Sequence, residues 1–289
     1  MKDLCRNLKE FDNAIAAAYP NVYSVMIYQN NKQIFENYYR KAKPNDRRII
    51  MSCNKSILSA LAGIAINKGY IKGIDQHILD FLPEYLHAGS DPNILRLRIK
   101  HLLTMTTGFY YQRLAADSQP VYVRGESYDD MIQYILDLPI KNPDLTTFTY
   151  SNFEYDLLHA IIEKASDMTV VEFANKYLFS QLGFDYIGNT EYTTHEMAVF
   201  GLLYLNNGNY NGQQIISKDW VEKSQMNNNG SGYGYMWWVK SDGTYMASGS
   251  GGAMIMIIPN ENAVVVSQTK NLKTNWKSPH HAVNEYLIL

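Results

Sequence analysis

The chain has 289 residues, of which 46% are apolar and 19% charged, and its net charge is −2. This length suits one large domain or two smaller ones with a sizeable core. The lack of a Lys/Arg-rich run argues against a nucleic-acid partner, and no stretch approaches the roughly 18 apolar residues of a membrane span. Because no apolar signal segment is visible near Met1, we expect a cytoplasmic protein with Cys5 and Cys53 as free thiols.

Strand-like patterns stand near both ends of the chain, and helical patterns fill the middle. A helix is predicted over 3–18, and two strands over 22–28 and 33–39 flank an Asn30-Asn31 turn. Helical periodicity then runs from Ser52 to about Gly69 and recurs over 98–105, 127–137, 153–166, 169–181, 194–206 and 217–224. A period of two marks strands over 233–239, 244–247, 253–258 and 263–266, and a last helix is predicted over 278–288.

This order predicts an α/β protein of the α+β kind, built on one antiparallel sheet. Residues 1–48 and 225–289 would form the sheet domain, which terminal helices flank. Residues 49–224 would form a mostly helical region inserted between the second and third strands. We expect the active site between these two parts.

Ser52 stands three residues before Lys55, at the start of the apolar helical run 56–66. On a helix, residues i and i+3 share a face, so the lysine amine can reach the serine hydroxyl and act as its base when desolvated. The alternative is a helix N-cap beside a solvated lysine. The same pattern recurs at Ser267 and Lys270, but that copy follows a buried strand pattern, in which the two side chains would point to opposite faces.

Tyr150-Ser151-Asn152 precedes the helix that begins near Phe153. A Ser–Lys nucleophile needs a second proton handler for the leaving group. A phenol can take that role when a nearby ammonium lowers its pKa. An asparagine amide can hold a substrate carbonyl or the lysine. Tyr150 stands on a loop just ahead of a helix, where its side chain can enter a cleft.

Residues 248–253 read Ser-Gly-Ser-Gly-Gly-Ala and precede an apolar strand. Glycines at such a position let a substrate approach the strand backbone closely. The alternative is a Gly-rich β-turn without a role in binding.

Taken in this order, the three elements resemble the serine β-lactamase and penicillin-binding-protein-like family. The resemblance is to its class C-like branch, with its esterases, D-amino-acid peptidases and 6-aminohexanoate-dimer hydrolases. That family carries Ser-x-x-Lys, then Tyr-x-Asn, then a Lys-Thr-Gly or His-x-Gly element. Residues 98–109 are similar to its IRHLLTMTSG segment, and residues 200–208 and 232–238 look like further family landmarks.

The resemblance implies a β-lactamase/transpeptidase-like fold and a cofactor-free serine hydrolase that acts on a small molecule. Ser52 would be the acylated nucleophile, Lys55 its base and Tyr150 the acid/base for the leaving group. Asn152 would bind the substrate and Lys55. The backbone N–H groups of Ser52 and Ala253 would form the oxyanion hole.

The third motif departs from the family pattern, because Ser250-Gly251-Gly252 begins with serine where relatives carry Lys or His. The charge that would hold a substrate carboxylate is therefore missing. This favours an ester, amide or D-amino-acid-type peptide bond in an uncharged substrate over a β-lactam or a DD-peptidase substrate. It also leaves open a binding or regulatory homologue with little turnover.

Aromatic pairs supply further candidates for the pocket wall. Tyr110, Tyr111 and Trp238 can line the pocket, although core packing is equally plausible for one member of each pair, since neighbours on a strand alternate faces. No metal site is expected, because His280-His281 has no partner ligands at suitable spacing and His101 reads as a structural histidine.

Overall fold

An antiparallel sheet made from both ends of the chain organises this computed structural model, which describes residues 4–110, 127–188, 190–270 and 277–288. The helices are α1 (Leu8–Ala18), α2 (Cys53–Asn67), α3 (Ile99–Leu103), α4 (Tyr128–Leu136), α5 (Phe153–Ser166), α6 (Val170–Ala174), α7 (Thr194–Leu205), α8 (Lys218–Ser224) and α9 (His280–Ala282). The strands are β1 (Val22–Gln29), β2 (Lys32–Tyr38), β3 (Arg48–Ile49), β4 (Glu191–Tyr192), β5 (Asn209–Tyr210), β6 (Gln213–Gln214), β7 (Trp238–Val239), β8 (Tyr245–Ser248), β9 (Met254–Ile258) and β10 (Ala263–Thr269).

The main sheet has the strand order β2-β1-β10-β9-β8-β7. Strand β1 lies between its hairpin partner β2 and the distant β10, with Val25 opposite Ser267. The sheet therefore joins N-terminal and C-terminal strands, as the sequence predicts. The proposed boundaries of the two domains stay a prediction.

Both faces of the sheet are covered, which explains the continuous apolar run of β10. Val264 and Val266 pack into the cluster that includes α7, whereas Ala263 and Val265 pack against α1 and α9. All seven residues of β10 are buried. The covering helices thus turn the sheet into the middle layer of the protein.

Helix α2 is buried along almost its whole length, from Cys53 to Ala65. It contacts β8 on one side and helices α5 and α8 on others, and a Cβ at Gly63 would lie 2.5 Å from the Trp220 ring. A helix without a polar face needs such surroundings. No helix in the described ranges is long and apolar enough to cross a membrane.

Several predicted elements differ from the structure in extent, among them the last helix, which is α-helical over His280–Ala282 and π-helical over Val283–Ile288. The first helix begins at Leu8, after a 3₁₀ turn over Leu4–Asn7, and the helix predicted over 169–181 changes to π-helical geometry at Asn175. The strand predicted over 233–239 is wrong for its first five residues, since the strand covers only Trp238 and Val239, and Tyr233 forms an isolated bridge to Trp238. Met236 has φ of 59°, which breaks the extended backbone there and makes a tight loop.

We expect Gly201→Ala to lower the free energy of unfolding by about 1–3 kcal/mol, which is typical of overpacking. A Cβ at Gly201 would lie 2.5 Å from Val264 Cγ1 and push α7 away from the sheet. Gly73→Ala is the matched control, because nothing lies within 4 Å of a Cβ there. Urea unfolding measures both variants, and equal midpoints would contradict the packing argument.

Candidate active site

Ser52 caps the N-terminus of α2 and is partly exposed. The residue before it, Met51, has φ of 51°, a left-handed conformation that costs a non-glycine residue on the order of 1–3 kcal/mol. The Asn54 side-chain amide donates to the Met51 carbonyl at 2.9 Å, and the Cys53 amide donates to the Ile50 carbonyl at 3.2 Å. These bonds hold a sharp turn that presents the Ser52 hydroxyl at the end of the helix.

Lys55 lies one turn further along α2 and is only 4% exposed. Its Nζ is 3.4 Å from Ser52 Oγ and donates to Asn152 Oδ1 at 2.5 Å. Burial lowers the pKa of Lys55 to about 8. The Asp156 and Glu154 carboxylates act in the opposite direction, because a nearby negative charge favours the protonated amine. A substantial fraction of the amine is therefore neutral near physiological pH, in contact with the serine.

Tyr150 stands on the other side of Ser52 and hydrogen bonds to its side chain. Burial raises the pKa of Tyr150 to about 12, with the bond to Ser52 partly offsetting it. The lowered phenol pKa expected from a neighbouring ammonium is therefore wrong for this structure, because desolvation of the phenol outweighs the lowering by its hydrogen bond to Ser52. The phenol is protonated at neutral pH and available as a proton donor.

A buried carboxylate that the sequence reasoning missed holds the Tyr150–Asn152 loop in place. Both Ser151 Oγ and Thr107 Oγ1 donate to Glu154, the latter at 2.6 Å, and the Phe153 amide donates to Ser151 Oγ at 3.1 Å. Burial raises the pKa of Glu154, and the hydroxyl donors oppose that shift. A glutamate in the first turn of a helix is ordinary in sequence, so no pattern marked it.

The Ser250–Gly252 turn joins β8 to β9 close to the start of α2. Gly251 and Gly252 have φ of 84° and 96°, and Asn21 Nδ2 donates to the Gly251 carbonyl at 2.8 Å. The Cys53 thiol donates to the Ala253 carbonyl at 3.3 Å, which joins this turn to α2. Ser250 itself is exposed.

Gly249 permits that close approach. A Cβ at this position would lie 2.3 Å from the Ile50 carbonyl oxygen, in the turn that carries Ser52. Any larger residue would therefore separate the end of β8 from the serine. The glycines of the third motif thus have two structural roles. Gly249 lets β8 approach the turn before α2, and Gly251 and Gly252 adopt the left-handed conformation of the turn.

Of the aromatic side chains predicted to line the pocket, one lies next to the proposed catalytic residues and another lies elsewhere. Trp238 is half-buried and stacks on Tyr150, with ring centroids 5.5 Å apart, whereas Trp237 packs in the core against Tyr204. Tyr110 is 44% exposed and lies under the Lys141 amine rather than in the cavity wall at Ser52. Tyr111 lies outside the described residues.

A cavity of about 280 Å³ opens at the serine. Its walls bring together Ser52, Lys55 and Asn152, and they add residues that sequence reasoning did not select: Ile49, Met51, Asn54, Tyr155, Asp156 and Thr190. Tyr150, the Ser250–Gly252 turn and Ala253 are not among the lining residues. The arrangement can accept an acyl group beside the nucleophile and its base.

The histidines take no part in this site. His101 Nδ1 accepts from the Arg98 amide at 3.0 Å, and burial lowers the pKa of His101 to about 4. It is therefore a neutral structural residue. No cluster of three His, Cys, Asp or Glu side chains suited to a metal ion occurs in the described part of the chain.

Known proteins resemble the chain over most of its length. A family model described as Beta-lactamase matches residues 11–191. The 6-aminohexanoate-dimer hydrolase of Paenarthrobacter ureafaciens is 24% identical over 86% of this chain and 71% of its own length.

Two solved structures share the fold. A penicillin-binding protein homologue from Pyrococcus abyssi has a TM-score of 0.76 at 17% identity and covers 99% of this chain and 77% of its own. EstCE1, described as a hydrolase with promiscuous acyltransferase activity, has a TM-score of 0.79 at 13% identity and covers 98% of both chains. At these identities the two structures bear on the fold alone.

We expect Glu154→Ala to lower the free energy of unfolding by about 2–3 kcal/mol, because it leaves the Ser151 and Thr107 hydroxyls buried without their acceptor. Glu222→Ala is the control, since that side chain is 55% exposed on α8 and should change stability by less than about 0.5 kcal/mol. Urea unfolding compares them. Equal losses in the two variants would show that Glu154 does not hold the loop.

Proposed function

Because the chain belongs to the beta-lactamase family of serine hydrolases, we propose that it cleaves a small ester or amide through an acyl-enzyme on Ser52. The family and the fold class expected from the sequence are confirmed, and so is the general expectation of a serine hydrolase. The substrate and the roles of individual residues are inferred from the geometry of the site.

The observation that carries the proposal is the buried amine next to the serine hydroxyl. With Nζ 3.4 Å from Oγ and the pKa of Lys55 at about 8, the neutral amine can take the Ser52 proton as Oγ attacks the substrate carbonyl. The negative charge then develops on the carbonyl oxygen near the N-terminus of α2. Backbone N–H groups at Ser52 and Ala253 are the proposed oxyanion donors.

Tyr150 is the proposed acid for the leaving group. Its phenol is protonated at neutral pH and hydrogen bonds to Ser52, so it stands beside the bond that breaks. It would give its proton to the departing oxygen or nitrogen and regain one from the Lys55 ammonium. Water would then attack the acyl ester with the neutral Lys55 as base, and the proton would return to Ser52 Oγ.

Asn152 would position both the amine and the substrate. Its Oδ1 accepts from Lys55 at 2.5 Å, which fixes the amine in the direction of Ser52. An asparagine amide also carries N–H donors of the kind that bind a substrate carbonyl oxygen. An aspartate at this position would raise the pKa of Lys55 and offer no N–H donor, so an asparagine suits both proposed tasks better.

The missing cation of the third motif favours a substrate without a carboxylate at that position. Ser250 offers a hydroxyl in place of Lys or His, and it is exposed. An ester, an amide or a D-amino-acid-type peptide bond fits this site better than a β-lactam. A relative named 6-aminohexanoate-dimer hydrolase is compatible with an amide substrate. Ser250 is also the observation that favours a binding homologue with little turnover.

We expect a fluorophosphonate probe to add one mass increment to the protein, through Ser52. Intact mass spectrometry measures the adduct in the wild type, in Ser52→Ala and in Ser267→Ala. Ser267→Ala is a matched control, because Ser267 also stands three residues before a lysine. Ser267 lies on the buried strand β10, where its hydroxyl donates to the Gly252 carbonyl. Labelling should vanish in Ser52→Ala and persist in Ser267→Ala.

The same proteins should then be tested with p-nitrophenyl esters and with a chromogenic β-lactam. Ester turnover that requires Ser52 supports the hydrolase. Labelling without turnover would instead support the binding homologue, and efficient β-lactam turnover would show that Ser250 does not prevent β-lactam hydrolysis. Absence of both adduct and turnover would overturn the proposal.

The ester rate should rise with pH and level off above about 8. Below that pH the Lys55 amine is protonated and cannot accept the serine proton, so kcat/KM should fall about tenfold per pH unit. Tyr150 should add no decline in the usual assay range, since its pKa is about 12.

Lys55→Arg should abolish turnover, because a guanidinium stays protonated throughout this range. Lys68→Arg is the matched control, because Lys68 directly follows α2 and its side chain is exposed. A rate that does not change between pH 6 and pH 9 would exclude Lys55 as the base.

A further inference from the structure

Two large apolar side chains stand exposed in the wall of the cavity at Ser52. Ile49 is 49% exposed and Met51 is 37% exposed, and both line the cavity. Ile50, which lies between them in the chain, is buried in the core. A single exposed apolar side chain on a protein surface needs no explanation, but two that share the wall of a reaction cavity bear on what can bind there.

The backbone explains why these two side chains share one face. Ile49 ends β3, which pairs with β4, and the Ile50 amide donates to the Thr190 carbonyl at 3.2 Å. Neighbouring side chains of an extended strand point to opposite faces, so Ile49 faces the cavity and Ile50 faces the core. The left-handed backbone at Met51, which the Asn54 amide supports, then brings a second apolar side chain to the cavity. The apolar wall is therefore built into the turn that carries the nucleophile.

The positions of the proposed base and acid decide which part of a substrate meets this wall. Lys55, the proposed base, lines the cavity together with the two apolar side chains. Tyr150, the proposed acid, hydrogen bonds to Ser52 but is not among the described residues that line the cavity. A leaving group that takes its proton from Tyr150 therefore departs away from the cavity. The acyl part of the substrate is left to occupy it.

We propose that Ile49 and Met51 bind an aliphatic acyl chain of about six to eight carbons, so that medium-chain esters or amides are the preferred substrates. Methylene groups that pack on these side chains remove apolar surface from water on both partners. A charged group on the chain would have to give up its water at the same wall, which disfavours it. This inference rests on the proposed function.

The size of the cavity sets the upper limit on chain length. Its volume is about 280 Å³. A methylene group takes about as much space as a water molecule, whose share of the liquid is about 30 Å³, so fewer than about ten chain carbons fit. Longer acyl chains would leave their ends in water and gain nothing from the added length.

The test compares p-nitrophenyl esters with acetyl, butanoyl, hexanoyl, octanoyl and dodecanoyl groups, each below its micelle concentration. The measured quantity is kcat/KM relative to the acetyl ester. All five esters have the same leaving group and meet the same Lys55 and Tyr150, so changes in those residues cancel in the ratio. A fully buried methylene is worth about fourfold in binding, and a half-buried one about twofold. The wild-type rate should therefore rise about tenfold from acetyl to hexanoyl and stop rising before dodecanoyl.

Two variants remove the apolar wall while they respect the backbone. Ile49→Thr keeps a β-branched side chain in β3, and Met51→Asn supplies a residue that tolerates a left-handed backbone. Each should lower the hexanoyl-to-acetyl ratio about threefold, and the double variant should bring it close to one. Leu95→Thr, at an apolar side chain that is 54% exposed and does not line the cavity, is the matched control and should leave the ratio unchanged. A double variant that keeps the ratio within about twofold of the wild type would overturn the inference.

Two further results separate the inference from the function on which it rests. If Ser52→Ala turns the esters over at the wild-type rate, the proposed function fails. If turnover requires Ser52 but the rate does not depend on chain length, only the specificity fails. Should the wall variants not fold, the wild-type series decides, because a rate that stays flat from acetyl to hexanoyl, or that still rises at dodecanoyl, contradicts an acyl site of this size.

Discussion

The burial of α2 is the constraint on which the rest of the site depends. Thirteen successive residues, from Cys53 to Ala65, are shielded from water by β8, α5 and α8. Lys55 is within that stretch, so it meets the same dry surroundings as its apolar neighbours. A lysine on a solvated helix face would be protonated and useless as a base. The packing that stabilises the fold therefore also lowers the pKa of the amine, which the proposed mechanism requires.

Buried groups outside the proposed catalytic set fix its three sequence motifs relative to one another. Glu154 joins the Tyr150 loop to Thr107, and Asn21 supports the turn that follows β8. Gly249 lets that turn lie against the backbone before Ser52. Because each support is backbone or a buried polar side chain, the side chains of the proposed mechanism are held in place before any ligand arrives.

The sequence predicted the order of the elements better than their local geometry. Context correctly separated the two Ser-x-x-Lys copies, because the continuous apolar run before Ser267 identifies a buried strand, and Ser267 in fact donates to the Gly252 carbonyl from β10. The loop at Met236 was missed, since a single left-handed residue leaves no trace in an alternating pattern. Tyr150 was misjudged because the size of its desolvation depends on neighbours, such as Trp238, that come together only in the fold.

The pairing of β1 with β10 has a consequence for how the molecule is made. Asn21 precedes β1, yet the Gly251 carbonyl that it binds is 230 residues later in the chain. At cellular rates of translation the ribosome needs on the order of tens of seconds to cover that interval. Throughout it, β1 has β2 on one side and an open apolar edge on the other. The apolar edge of β1 therefore stays unpaired until β10 has been made, and the Asn21 bond to the Gly251 turn forms late in synthesis.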